Sequence, residues 1–176
     1  INLDVLPSNV KSISLIQRKT NNVKLICSFS NLPNELIKKH VKDIERKLIE
    51  RKFVVQTQIN EENAIDSGAS LLIFSIDDES IIGVDSIFDK KTEKFNLELE
   101  RFIENNLGVD ERLADMLVLP ASLTNEMTIF RVNNISKHLE TNLFVTSKIT
   151  GCKYGIGKLS DGFEIRIEGV SNTSIK

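Results

Sequence analysis

The sequence of 176 residues predicts an α+β fold, with a small two-layer α/β sandwich followed by part of a second α/β domain. Residues 23–29 and 53–59 alternate apolar and polar side chains, which is typical of strands with one buried face. Residues 37–48 repeat apolar side chains at spacings of four and three, which indicates one face of a helix. Asp161-Gly162, between two further alternating segments, favours a hairpin turn.

The first predicted domain covers residues 8–108. Pro33 opens its first helix, where the missing N–H of proline costs nothing. The residues that follow predict a strand pair at 69–76 and 81–88 and a second helix at 92–106, with Gly108 as its C-cap glycine. Two helices on about four strands make a two-layer sandwich.

The second predicted domain covers residues 109–176, to which residues 1–7 are a candidate addition. Asp110 is a suitable N-cap for a short helix that Pro120 is expected to stop. The remaining predicted elements are a strand at 127–132, a helix from Ser136 to about 149 that ends before Gly151, hairpin strands at 153–159 and 163–167, and a loose tail at 169–176.

Composition excludes some classes of protein. No apolar run of about 18 residues is present, so a membrane span is not expected. Cys27 alternates with apolar neighbours and is expected to be a buried core thiol, and two cysteines alone do not make a zinc site. Free thiols favour a reducing compartment, so the predicted location is cytoplasmic. A net charge of −2 gives no global attraction to nucleic acid.

One helical face is rich in lysine. Lys38, Lys39 and Lys42 have two interpretations, a nucleic-acid surface or an ordinary solvated helix face, and the second is favoured. His40 lies among them and is expected to be a solvated surface residue.

His138 is the candidate catalytic residue. A helix that starts at Ser136 places His138 in its first turn, where free backbone N–H groups and the helix dipole attract a phosphate. The same field disfavours the imidazolium ion, so the imidazole keeps a nucleophilic lone pair, and Lys137 acts in the same direction. From spacing alone, a histidine that merely packs at a helix end is the favoured interpretation.

Two stretches together resemble the RNA 3'-terminal phosphate cyclase family. Its members carry a segment close to Leu-Ala-Asp-Gln-Leu-hydrophobic-Leu-Pro and, some twenty residues later, a His-Leu-x-Thr-Asn motif. The corresponding residues here are Leu113-Ala114-Asp115-Met116-Leu117-Val118-Leu119-Pro120 and His138-Leu139-Glu140-Thr141-Asn142. Residues 1–108 match more loosely, as the small domain that this family inserts into its catalytic fold.

The resemblance implies an ATP-dependent enzyme that converts an RNA 3'-terminal phosphate to a 2',3'-cyclic phosphate. His138 occupies the place of the histidine that carries AMP. The adenine-nucleotide pocket includes the stretch from Arg112 through Leu113, Ala114 and Asp115 to Met116. A divalent cation, Mg or Mn, is an expected cofactor, and Asp115 would accept from adenine or help to place that ion.

Two residues depart from the family pattern. Arg112 stands where an aromatic residue or histidine often covers the adenine, although a guanidinium also stacks on a base. Met116 replaces a common glutamine and so removes a hydrogen-bonding group. The alternative role of Asp115 is a local cap or a solvated helix position.

The resemblance also implies a catalytic domain of repeated units, each with two helices on a four-stranded sheet, like the C-terminal domain of translation initiation factor three. Because the first methionine is Met116, an N-terminal part is expected to be missing or to sit on a second chain. Residues 1–176 alone are therefore not expected to cyclise RNA. Two alternatives stay open: a non-catalytic cyclase-like protein that binds RNA in ribosome biogenesis, and a structural α/β module.

Overall fold

The computed structural model describes residues 10–170, which form two compact units. One unit is residues 18–106, and the other joins residues 10–17 to residues 107–170. The elements in chain order are β1 (Ser14–Leu15), β2 (Asn22–Ser30), α1 (Asn34–Glu50), β3 (Val54–Glu61), β4 (Gly68–Asp77), β5 (Ser80–Asp89), β6 (Lys94–Phe95), α2 (Leu99–Glu104), α3 (Glu111–Ser122), β7 (Met127–Val132), α4 (Lys137–Thr150), β8 (Lys153–Lys158) and β9 (Phe163–Glu168).

The unit of residues 18–106 is a sheet of order β3-β2-β4-β5-β6 with helices on one face. Strands β2 and β3 are parallel because α1 connects them, and the other neighbours are antiparallel. Apolar side chains of both helices join the inward side chains of β2, β4 and β5 in one buried cluster, which includes Ile37, Val41, Leu48, Leu99 and Phe102. The α+β class that the periodicities predict is therefore observed.

Cys27 lies inside this cluster with no exposed surface, as its alternation predicts. Burial raises the pKa of its thiol to about 11 because the thiolate would lose its hydration. Cys152 of the other unit is also a free, buried thiol.

The helix predicted at 92–106 is wrong in its first half. Asp89 accepts from the Lys91 amide and the Thr92 hydroxyl, so its carboxylate organises a turn instead of a helix start. Glu93 has a φ of 52°, and β6 then pairs with β5. Phe95 packs on the core from this short strand, so only residues from Leu99 onward are helical.

His40 is not the solvated residue that its lysine-rich surroundings suggested. Its ring meets Phe88 and Phe95 edge-on, at centroid distances of 5.8 and 6.1 Å. Successive side chains of a helix point about 100° apart, so the lysines next to His40 in the sequence do not determine which side of α1 it faces.

The second unit is a sheet of order β1-β7-β9-β8 with α3 and α4 packed on it. Strand β1, which the sequence did not indicate, is parallel to β7 and pairs Ser14 with Ile129. Fully buried Phe130, Ile165 and Ile167 form the centre of this sheet. The N-terminal residues 10–17 thus complete a sheet whose other strands lie more than a hundred residues later.

Pro120 does not stop α3, which continues to Ser122. Pro120 lies in the last turn, so its missing amide donor and the crowding of its ring against the carbonyl four residues earlier disturb only the end of the helix, which continues for two more residues. The predicted loose tail is wrong for its first residues, since the Val170 amide donates to the Ser122 carbonyl at 3.0 Å. Residues 171–176, like residues 1–9, lie outside the described part of the chain.

Gly108 is not a helix C-cap, because α2 already ends at Glu104 with Asn105 as its C-cap residue. It is required by a close approach of two backbones. A Cβ at this position would lie 1.9 Å from the Leu15 carbonyl oxygen, where neither backbone is able to yield.

We expect Gly108→Ala to lower the free energy of unfolding by several kcal/mol, because the new methyl group forces the β1 segment away from its place in the sheet. Urea denaturation followed by circular dichroism measures this loss. Gly155→Ala is the matched control, since nothing lies within 4 Å of a Cβ there. Equal stability of the two variants would contradict the close approach.

Glu164 holds two arginines on the second sheet. Its carboxylate accepts from Arg131 Nε at 2.9 Å and from Arg166 Nε at 2.8 Å. The hydrogen bonds from Arg166 and Arg131 hold the pKa of Glu164 below its usual 4.5. Since the folded-state pKa is the lower one, the ionised carboxylate stabilises the fold above pH 4.5, and this contribution is lost as the pH falls below that value.

Glu164→Gln is expected to be less stable than the unmodified protein at pH 7, with the difference shrinking toward pH 3 as the carboxylate becomes protonated. Urea unfolding at both pH values checks this. Glu168→Gln is the control. Glu168 is exposed, and its ion pair with Lys153 Nζ is long at 3.9 Å, so we expect little change at either pH. A Glu164→Gln deficit that stays constant with pH would argue against the ion-pair explanation.

Within residues 10–170, no helix combines the length and the apolar character that a membrane crossing requires.

Candidate active site

The start of α3 presents three of the five predicted nucleotide-binding positions. Asp110 caps the helix, with its side chain accepting from the Leu113 amide at 2.9 Å, as predicted. Arg112 and Met116 are exposed, and Asp115 is half-buried. Ala114 is fully buried and Leu113 is half-buried, so their side chains serve mainly to seat the helix.

The start of α4 places His138 in the first turn, as the capping pattern predicts. The Ser136 hydroxyl accepts from the Leu139 amide at 2.9 Å, and Leu139 is buried in the core. His138 and Lys137 are exposed on the outer side of that turn. A histidine buried against apolar side chains would have favoured the structural alternative, and this geometry is the opposite.

Ser136 connects the two helices. Its hydroxyl donates to Asp115 Oδ1 at 3.0 Å while its lone pair accepts from the α4 amide, so both capacities of the hydroxyl are used. Asn142 adds a longer contact, donating from Nδ2 to the Asp115 carbonyl at 3.4 Å. The structure thereby brings Asp115 to the N-terminal end of α4. Its partner there, Ser136, precedes His138 by two residues.

The sequence did not indicate this contact. Its patterns predicted a nucleotide contact for Asp115 and, separately, a helix cap for Ser136. Asn134 donates to Glu111 at 3.0 Å across the same pair of elements, and it was not singled out either. The signal available was the polar character of the segment before α4, which by itself does not identify a partner some twenty residues earlier.

The chemistry of these groups suits an anion. The first-turn N–H groups of α4 and the ammonium of Lys137 favour negative charge, and Arg112 adds a guanidinium on α3. For a divalent cation the fit is poorer. In the portion of the chain that the structure describes, no three His, Cys, Asp or Glu side chains come together as metal ligands.

The fold defines a mixed α/β protein, its candidate site places an exposed histidine in the first turn of a helix, and comparison with known proteins gives its family. The family model described as RNA 3'-terminal phosphate cyclase matches residues 3–156. The chain belongs to the RNA 3'-terminal phosphate cyclase family.

Individual relatives carry the same name. The chain is 37% identical over 75 residues to an RNA 3'-terminal phosphate cyclase from Trichormus variabilis, which covers 43% of this chain and 20% of the relative. A Nostoc punctiforme protein of that name is 27% identical over 140 residues, covering 76% of this chain and 40% of the relative. The matches therefore span between one fifth and two fifths of the length of these curated relatives.

We expect Ser136→Ala to reduce the free energy of unfolding by about 1 kcal/mol, because α4 loses its cap and Asp115 loses a donor. Thermal and urea unfolding measure the effect. Ser147→Ala is the matched control, since the Ser147 hydroxyl only bonds back to the Phe144 carbonyl on an exposed helix face. Indistinguishable variants would show that Ser136 does not fix the start of α4.

Proposed function

We propose that this chain carries the nucleophile of an ATP-dependent RNA 3'-terminal phosphate cyclase, and that His138 is that nucleophile. The observation that supports the proposal is an exposed imidazole in the first turn of α4, next to the Ser136–Asp115 contact. Membership of the family supplies the substrate class.

The proposed reaction has three steps. An imidazole nitrogen of His138 attacks the α-phosphorus of ATP, a P–N bond forms, and pyrophosphate leaves with the electrons of the broken P–O bond. An oxygen of the RNA 3'-phosphate then displaces the imidazole and takes the AMP group. Finally the 2'-hydroxyl of the terminal ribose attacks the 3'-phosphorus, loses its proton and expels AMP, which closes the 2',3'-cyclic phosphate.

The start of α4 assists the first step electrostatically. Backbone N–H groups at a helix N-terminus stabilise the negative charge that grows on the phosphoryl oxygens, and they need no reorganisation because the helix already orients them. In this proposal Asp115 is a positioning residue that acts through Ser136, and it fixes where the first turn of α4 begins.

The adenine is proposed to bind beside α3. The Arg112 guanidinium stacks on the base, while exposed Met116 and half-buried Leu113 form the adjoining apolar wall. Fully buried Ala114 supports this wall from within the helix packing. A divalent cation, Mg or Mn, is proposed to accompany ATP and to neutralise its phosphates. Its ligands would come from the nucleotide and from protein beyond the described residues, with Asp115 as the nearest carboxylate candidate in this chain.

The rest of the site is proposed to come from further protein, either an N-terminal part of the same protein or a second chain. The relatives are more than twice as long as their matches to this chain. Helices α3 and α4, with the residue that caps α3, have exposed apolar side chains suited to such packing, namely Met116, Leu119, Leu123, Phe144, Val145 and Ile149. On this view residues 107–170 are part of a repeated unit like the C-terminal domain of translation initiation factor three, and the protein acts in the cytoplasm.

Incubation with ATP labelled at the α-phosphate tests the nucleophile. We expect AMP to become attached to protein containing this chain through an acid-labile, alkali-stable bond, and His138→Ala to abolish the label. The sequence contains only two histidines, so His40→Ala is the matched control and is expected to keep full labelling. Electrophoresis and mass spectrometry of the labelled peptide give the measurement.

Label that survives in His138→Ala would refute the assignment of the nucleophile. RNA binding by the same preparation with no labelling at all would instead favour the non-catalytic, cyclase-like alternative.

A further inference from the structure

The sheet of residues 18–106 has one covered face and one open face. Helices α1 and α2 join the buried cluster on the covered face. The open face exposes large apolar side chains, with Val54 66% exposed, Leu72 41%, Ile76 58% and Ile87 77%. Side chains of this size on a solvated sheet favour an interaction surface.

A groove of about 510 Å³ lies on this open face, lined by Asn22, Lys24, Val54, Gln56, Phe74 and Ile76. Its volume falls within the range of sites for small organic ligands and single nucleotides. The strand register explains its shape. Phe74 lies between Lys24 and Gly83 on the two neighbouring strands. Because glycine has no side chain, one flank of the Phe74 side chain has no side chain next to it.

The groove combines three kinds of group. Phe74 is only partly buried and lies outside the core cluster, so its ring is available as a stacking surface. Asn22 and Gln56 offer amide donors and acceptors, and Gln56 pairs directly with Lys24. Of the described residues that line the groove, Lys24 is the one that carries a charge. An aromatic ring, amides and a cation match a base, its polar edges and its phosphate.

We propose that the open face of this sheet binds single-stranded RNA, with one base stacked on Phe74, its edge bonded to Asn22 or Gln56, and a neighbouring phosphate paired with Lys24. The choice of RNA rests on the proposed function, whereas the groove itself lies apart in sequence from every residue assigned to catalysis. The cation and the two amides of the groove favour RNA, and the exposed apolar side chains of the same face make a second copy of the chain the outcome that the test must separate from it.

The lysines of α1 provide an internal comparison. Lys38, Lys39 and Lys42 are exposed on the helix layer, which covers the opposite face of the sheet. If charge alone attracted RNA, these lysines would contribute as much as Lys24 or more.

A single-tryptophan variant tests the stacking. The sequence contains no tryptophan, so F74W introduces a unique fluorophore at the groove. We expect single-stranded RNA to quench its emission, because a stacked base is in direct contact with the indole. I49W is the matched control, because Ile49 is exposed on α1, in the helix layer that covers the opposite face, and its emission is expected to stay unchanged.

Fluorescence anisotropy with an end-labelled oligonucleotide measures the affinity. Phe74→Ala is expected to raise the Kd roughly tenfold, the loss typical of one stacked base. Lys24→Gln is expected to lower the slope of log Kd against log salt by about 0.7, whereas Lys42→Gln leaves it unchanged. Circular dichroism of each variant establishes that the fold is retained.

Absence of quenching in F74W together with an unaltered Kd in Phe74→Ala would overturn the proposal. Equal effects of Lys42→Gln and Lys24→Gln would overturn it as well, in favour of the α1 surface. A dimer that Phe74→Ala dissociates, without any response to RNA, would assign the face to a second copy. The affinity measurement is made without ATP and does not involve His138, so failure of the labelling experiment and failure of this one are separate results.

Discussion

The hydroxyl group of Ser136 is the contact on which the candidate site depends. It accepts from the first turn of α4 and donates to Asp115 of α3, so one small group fixes where α4 begins and which part of α3 it meets. Leu139, in that same turn, is buried and anchors the helix on the core. His138, between these two residues, is exposed, and its neighbours set its position.

The same division between rigid support and exposed chemistry recurs in the sheet of residues 18–106. Its inward side chains and two helices share one apolar cluster, and the side chains of the other face take no part in that cluster. Residues on that face therefore carry little of the folding energy, and substitutions such as Phe74→Ala are compatible with an intact core. A two-layer unit separates stability from recognition in a way that a three-layer unit does not.

Local patterns in the sequence predicted the elements that depend on local physics. The caps at Asp110 and Ser136, the left-handed Gly151 and the hairpin at Asp161-Gly162 all occur where propensity places them. The misses have non-local causes. Residues 92–98 contain good helix formers, but the Asp89 carboxylate and the burial of Phe95 override that preference.

Non-local contacts also explain what was missed at the site. Strand β1 is only two residues long and is defined by its pairing with β7, which no local pattern records. Gly108 appeared to be a cap because it follows a helix, whereas its role is set by the Leu15 backbone. The motif at residues 138–142 indicated the family, and only the fold connects that motif with Asp115.

The two shielded thiols have a practical consequence. Cys27 has no exposed surface and Cys152 has 6%, and burial keeps the Cys27 sulfur protonated at neutral pH. Alkylating reagents attack thiolates at the protein surface, so both thiols of the folded protein are expected to react only slowly with maleimides. A single cysteine introduced beside the α4 terminus or on the open sheet would then accept a spin label or dye selectively, with no need to remove the natural sulfhydryls.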